Sequence, residues 1–120
     1  MLESILKEKS YAFAVRVVKM YQFFILEKKE FVLIKQLLRS GTSIGANIAE
    51  AQGAVSQMDF SAKISIAYKE TLETKYWLSL LKDTNFLSER EFTSLHTDAD
   101  ELAKMLFSTL KSTQRVKSKE

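Results

Sequence analysis

Four seams of mostly apolar residues, each spaced alternately by four and three, constrain this chain more than any other feature. The first seam is Leu6, Ser10, Phe13, Val17, Met20 and Phe24. The second is Leu37, Gly41, Ile44, Ile48, Ala51 and Val55. The third is Phe60, Ile64, Ala67, Thr71, Thr74, Leu78 and Leu81, and the fourth is Phe92, Leu95, Ala99, Leu102 and Leu106. This spacing collects each set on one side of an α-helix. The chain has no proline and only three glycines with which to interrupt the pattern. Long helices are therefore favoured over a many-turned β fold. The expected fold is all-α, an up-down-up-down antiparallel four-helix bundle of roughly 22–28 residues per helix, because short connections make successive helices antiparallel. The 120 residues suffice for one domain with a real core.

The ends of the helices follow from local chemistry. The first helix is expected from Ser4 to Leu26, with Glu27-Lys28-Lys29-Glu30 as the turn. That turn contains neither glycine nor proline. Length argues for it, since one helix running on to Gly53 would be about 70 Å long and nothing else in the chain would pack along it. The second helix ends at Gly53. Ser56 caps the third, with Asp59 reciprocating and Val55 and Phe60 at the staple positions. Thr84-Asn85 ends the third helix after Asp83. Ser88 and Glu91 form a capping box for the fourth, stapled by Leu87 and Phe92. From Ser112 onward Val116 is the one apolar residue, so the bundle is assigned to residues 1–111 and a disordered basic tail to 112–120.

All three glycines lie between Leu37 and Gly53. Gly41, Gly45, Ala49 and Gly53 recur every fourth residue, which lets another backbone approach closely. A helical glycine costs about 1 kcal/mol relative to alanine, so Gly41 and Gly45 point to a tight contact or a local distortion. A phosphate-binding loop is the competing interpretation. It lacks the Gly-Lys-Ser/Thr ending and a preceding strand. Gln36, Ser40, Ser43, Asn47 and Glu50 form a polar row beside the seam and need partners if buried. A structural polar network of Arg39, Asn47, Glu50, Glu70 and Glu73 is expected, with Arg39 pairing an acid of the third helix.

Composition excludes several functions. With no cysteine there is no disulfide framework, thiol catalysis or cysteine-based zinc site. The amino terminus shows no long apolar run, so neither a signal peptide nor a membrane span is expected. The chain is placed in the cytoplasm, with no membrane partner. The net charge of +3 permits phosphate contact without demanding it. Lys9, Arg16 and Lys19 form a basic strip on the first helix, and Lys111, Arg115, Lys117 and Lys119 make the tail basic. Either is a nucleic-acid-binding surface or an ordinary solvated one. A second apolar stripe on the first helix (Tyr11, Ala14, Val18, Tyr21, Ile25) is wider than one partner helix needs. It places that helix deep in the bundle or against another subunit.

Enzymatic constellations are thin. Glu70 with Glu73, and Asp98 with Glu101, would hold Mg²⁺ if the two pairs faced each other, although helix surfaces carry such pairs routinely. Arg90 and His96 match the Arg-x(4–6)-His spacing of helical toxin ribonucleases, but Arg90 falls inside a capping box. A Ser/His/Asp triad has no local signature. No catalytic residue, metal ligand or cofactor site is assigned.

The string Gln36-Leu37-Leu38-Arg39-Ser40-Gly41-Thr42-Ser43-Ile44-Gly45-Ala46-Asn47-Ile48-Ala49-Glu50-Ala51 resembles the signature of the bacterial four-helix-bundle proteins encoded in intervening sequences of 23S rRNA genes. The resemblance continues through Asp59-Phe60, Lys63 to Glu70 and Glu73 to Leu78, and includes Phe13 and Ala14. It implies a four-helix bundle assembled as a ring-like homopentamer. The same resemblance extends to the accessory variability proteins of diversity-generating retroelements, which are strongly basic and work with nucleic acid, whereas this chain is mildly basic. The expected function is thus a non-enzymatic oligomeric bundle associated with RNA or DNA through Lys9, Arg16, Lys19 and the tail. A protein-binding scaffold is the alternative, and a Mg²⁺-dependent nucleotide- or RNA-processing enzyme is a third reading.

Overall fold

The computed structural model describes residues 2–119, with side chains as far as Thr113. Its four α-helices are α1 (Leu2–Phe23), α2 (Leu33–Gln52), α3 (Gln57–Asp83) and α4 (Glu89–Lys119). Among the described residues there is no strand. α1 packs on α2 and α4, and α3 packs on the same two helices. The result is the expected up-down-up-down bundle, 53 × 22 × 22 Å in extent.

The four seams form the core. Leu6, Phe13, Val17 and Phe24 meet Leu37, Ile44, Ile48 and Ala51 of α2, Ile64, Ala67, Leu78 and Leu81 of α3, and Leu95, Ala99, Leu102 and Leu106 of α4. Each of these residues is buried. Val55 is the exception to the pattern. The Gly53 and Ala54 amides donate to Glu50 O and Ala51 O, a tightened last turn that ends α2. Val55 then swings out and is 91% exposed, so the staple expected between Val55 and Phe60 is not made. The Ser56 cap does form, its hydroxyl accepting from the Asp59 amide at 3.0 Å. Asp59 in turn accepts from the Val55 amide at 3.2 Å, one residue earlier than in a capping box. At α4 the box is complete: Ser88 N–H donates to Glu91 at 2.9 Å, and Glu91 N–H donates to Ser88 Oγ at 3.1 Å. Leu87 is buried beside it.

The first connection has a different construction from the turn expected at 27–30. Regular α-helix stops at Phe23, and Phe24 to Lys28 make one π-helical turn. The Lys29 amide closes it by donating to Phe24 O at 2.7 Å, with Lys29 itself left-handed at φ 54°. The wider turn keeps Phe24 in the core, against Phe86. Glu30 then caps α2 by accepting from the Ile34 amide at 2.9 Å and the Val32 amide at 3.3 Å. At the other end, α4 is helical to Lys119, past the point at Ser112 where the sequence suggests a disordered tail. Thr109 and Thr113 are buried there, donating to Met105 O and Thr109 O.

The glycines divide by role. A Cβ at Gly41 would lie 2.9 and 3.0 Å from the two methyls of Val17, a short, stiff side chain on α1. At Gly45 the nearest atoms, the carbonyl and hydroxyl oxygens of Ser10, are 3.4 Å away, which an alanine tolerates. Gly41→Ala should therefore lower the urea midpoint, because overpacking of about 1–3 kcal/mol exceeds the ~1 kcal/mol gained in helix propensity. Gly45→Ala should be neutral or stabilising. Equal stability of the two variants would contradict the close contact between α1 and α2.

Candidate functional site

The network expected around Arg39 exists between α2 and α3. The Arg39 guanidinium pairs with Glu70 at 3.1 Å and hydrogen-bonds Glu73, whose carboxylate also accepts from the Trp77 indole at 2.9 Å. The indole bond, followed by Arg39, holds the Glu73 carboxyl below its ordinary range. The Glu73 hydrogen bond likewise raises Arg39. The other two expected members sit apart. Asn47 donates back to Ser43 O within α2, and Glu50 pairs with Lys63 at 3.1 Å further along the seam.

Behind Arg39 lies a polar contact missing from the expected network. Ser40 and Thr74 are fully buried, with their hydroxyls 3.0 Å apart. Each also reaches a carbonyl of its own helix, Leu37 O and Glu70 O respectively. Thr74 stands at a seam position, where a threonine already signals a polar group inside the core, and Ser40 belongs to the polar row beside the second seam that needs partners if buried.

The basic strip on α1 is largely neutralised. Lys9 pairs with Glu101 at 2.6 Å, and that hydrogen bond raises the lysine above its ordinary value. Arg16 pairs with Asp98 at 2.5 Å and donates to Ser94 at 2.9 Å. Lys19 has no ion pair among the described residues. Lys111 lies 5.3 Å from the centre of the Phe107 ring. The side chains of Arg115, Lys117 and Lys119 lie outside the described residues.

The acid pairs weighed for Mg²⁺ do not meet. Glu70 and Glu73 face α2, while Asp98 and Glu101 face α1. Among the described residues no group of three or more carboxylate or imidazole ligands comes together. His96 rests on Phe92, 4.9 Å between ring centres, where burial first and Lys75 second lower its pKa. Arg90 is exposed in the first turn of α4. Six residues on a helix amount to about 240° of rotation, so Arg90 and His96 lie on different faces.

Surfaces with more apolar area lie elsewhere, although Lys7 and Glu8 help to line the first of them. A groove of about 700 Å³ runs between α1 and α2, lined among others by Tyr11, Ala14, Thr42, Gly45, Ala46 and Ala49. Tyr11 at its wall is 71% exposed, and Val15 and Val18 are exposed beside it. On α3, Ile66, Leu72 and Tyr76 are exposed, Tyr76 to 60%. α4 instead shows charges outward, with Asp100 held between Lys75 and Lys104.

A sequence profile described as "23S rRNA-intervening sequence protein" matches residues 3–108. The chain belongs to this family. It is also similar to a crystal structure from Bacteroides thetaiotaomicron, described as a protein of unknown function from the S23 ribosomal protein family. The two are 50% identical, the match covers 92% of this chain and 99% of that one, and the TM-score is 0.91. No curated protein matches. Among the described residues, no helix of this family member is long and apolar enough to cross a membrane.

Two outcomes follow. Ser40→Ala and Thr74→Val should each cost about 1 kcal/mol in urea unfolding, since each removes the buried hydrogen bond between the two helices while the remaining hydroxyl keeps a carbonyl of its own helix. The double variant should cost less than their sum; strict additivity would contradict the contact. Asp100 is pulled down to about 2 by hydrogen bonds from Lys75 and Lys104, from an ordinary 3.8. A carboxylate depressed on folding stabilises the protein above its unfolded pKa and loses that contribution as pH falls towards its folded one. The stability difference between wild type and Asp100→Asn should therefore shrink between pH 4 and pH 2. A difference independent of pH would contradict this ion pairing.

Proposed function

We propose that this chain is a non-enzymatic, self-assembling helical module that forms a ring-like homopentamer and associates with RNA or DNA. The observation that carries the reading is the division of the outer surface. Uncovered large apolar side chains stand on α1 (Tyr11, Val15, Val18) and on α3 (Ile66, Leu72, Tyr76), and small residues (Ala46, Ala49) on α2, whereas α4 shows Phe107 among exposed charges. Apolar patches of this kind mark interaction sites on soluble proteins. A ring with an odd number of subunits needs two different patches per chain, because each contact joins unlike surfaces. The α1–α2 groove and the Leu72–Tyr76 side of α3 provide two such patches.

The nucleic-acid part rests on Lys19, Lys111 and the tail residues Arg115, Lys117 and Lys119. Lys9 and Arg16 would have to exchange Glu101 and Asp98 for phosphate. The Mg²⁺-dependent reading has weaker support, because each of its acid pairs is already matched by cations of a neighbouring helix.

Light scattering should give a mass near five times 13.8 kDa. Tyr11→Glu should lower it, by placing a charge on the groove wall. A clean wild-type monomer would remove the assembly reading. RNA or DNA binding should weaken steeply with added salt and be lost on Arg16→Glu with Lys19→Glu. Absent or salt-independent binding would remove the nucleic-acid part alone.

A further inference from the structure

The connection between α1 and α2 leaves four large apolar side chains uncovered within ten residues of chain. Leu26 is 72% exposed and Val32 70%, with Phe23 and Phe31 about half exposed. This is a protruding tip at one end of the bundle, distinct from the faces assigned to assembly. Four lysines accompany it: Lys19, Lys28, Lys29 and Lys35, all exposed and without an ion pair among the described residues. Two acids lie in the same stretch. Glu30 is committed to the backbone as the cap of α2, which leaves Glu27 in this stretch, while Glu91 of α4 lines a hollow with Lys19 and Phe23.

We infer that this tip is a docking site for an anionic lipid surface. Three properties favour lipid. First, the apolar side chains stand proud of a turn, and a fluid interface accepts such side chains without a matching pocket. Second, the lysines carry positive charge to headgroup phosphates while their methylene stems follow the apolar residues inward. Third, the amides of Lys29, Val32 and Ile34 already have acceptors, which lowers the cost of taking the turn out of water. The contact is peripheral, with side chains entering the headgroup and upper acyl region. An acidic protein surface is the competing occupant. It would share the lysines and would require a cavity shaped to Leu26 and Phe31.

Flotation of the full chain with phosphatidylglycerol–phosphatidylcholine vesicles tests the assignment, with pure phosphatidylcholine as the comparison. Binding should favour the anionic vesicles and weaken with salt. Lys28→Glu with Lys35→Glu should reduce partitioning by about tenfold or more. Leu26→Asp with Phe31→Asp should reduce it similarly, with unchanged helical circular dichroism. Leu26→Trp in a Trp77→Phe background gives a direct reading independent of those variants: its emission should shift to the blue when anionic vesicles are added. Absence of vesicle binding would overturn the proposal and leave the tip to a protein partner. Binding indifferent to Leu26→Asp with Phe31→Asp, or no spectral shift, would overturn insertion.

Discussion

Three consecutive residues of α2 hold the bundle together. Gly41 faces α1 and lets the Val17 methyls approach to a distance that no side chain at this position would permit. Ser40, about 100° round the helix, faces α3 and meets Thr74 in the core. Arg39 reaches over the same seam from outside to Glu70 and Glu73. Apolar packing alone tolerates sliding along a seam, since one leucine replaces another. A glycine under a valine does not tolerate it, because a shift creates an overlap, and a hydroxyl opposite a hydroxyl loses a buried hydrogen bond when shifted. The α2 helix is thereby fixed against both of its neighbours. α4 completes the core and joins α1 partly through the pairs from Lys9 and Arg16.

Much of this was legible in the sequence, for identifiable reasons. Seam spacing found the core residues because helix geometry projects it directly onto one face. The Ser88–Glu91 box located the start of α4 because its two hydrogen bonds are local. Gly41 announced a close contact, although Val17 as the partner required the assembled bundle. The π-helical turn was hidden, since nothing in Phe24 to Lys29 distinguishes a turn closed by five residues from one closed by four. Val55 kept the seam spacing by coincidence after the helix had ended. The pairing of Lys9 and Arg16 was invisible for another reason: Asp98 and Glu101 lie more than eighty residues away, and only the α1–α4 packing brings them near.

That pairing changes how the charge of the chain is read. A basic strip seen in sequence suggests phosphate binding, yet Lys9 and Arg16 spend their charge within the bundle. Lys28 and Lys29 in the first turn, with Lys19 and Lys35 on the helices it joins, are exposed without an ion pair among the described residues. Uncovered apolar side chains on α1 and α3 stand among exposed charges such as Lys7, Glu8 and Lys69. Small residues on α2 have two consequences here: Gly41 closes the inner seam, while Ala46 and Ala49 leave a shallow groove outside.

The central claim is that two unlike faces of each chain meet in assembly, and mixing two variants tests it most directly. One variant carries Ala46→Glu in the groove, and the other carries Leu72→Asp with Tyr76→Asp on α3. Each should be monomeric alone, since each has lost one of the two faces. Mixed in equal amounts they should form a one-to-one heterodimer of about twice the chain mass, because one intact groove remains for one intact α3 face. Two variants that stay monomeric after mixing, or that assemble fully on their own, would contradict the account.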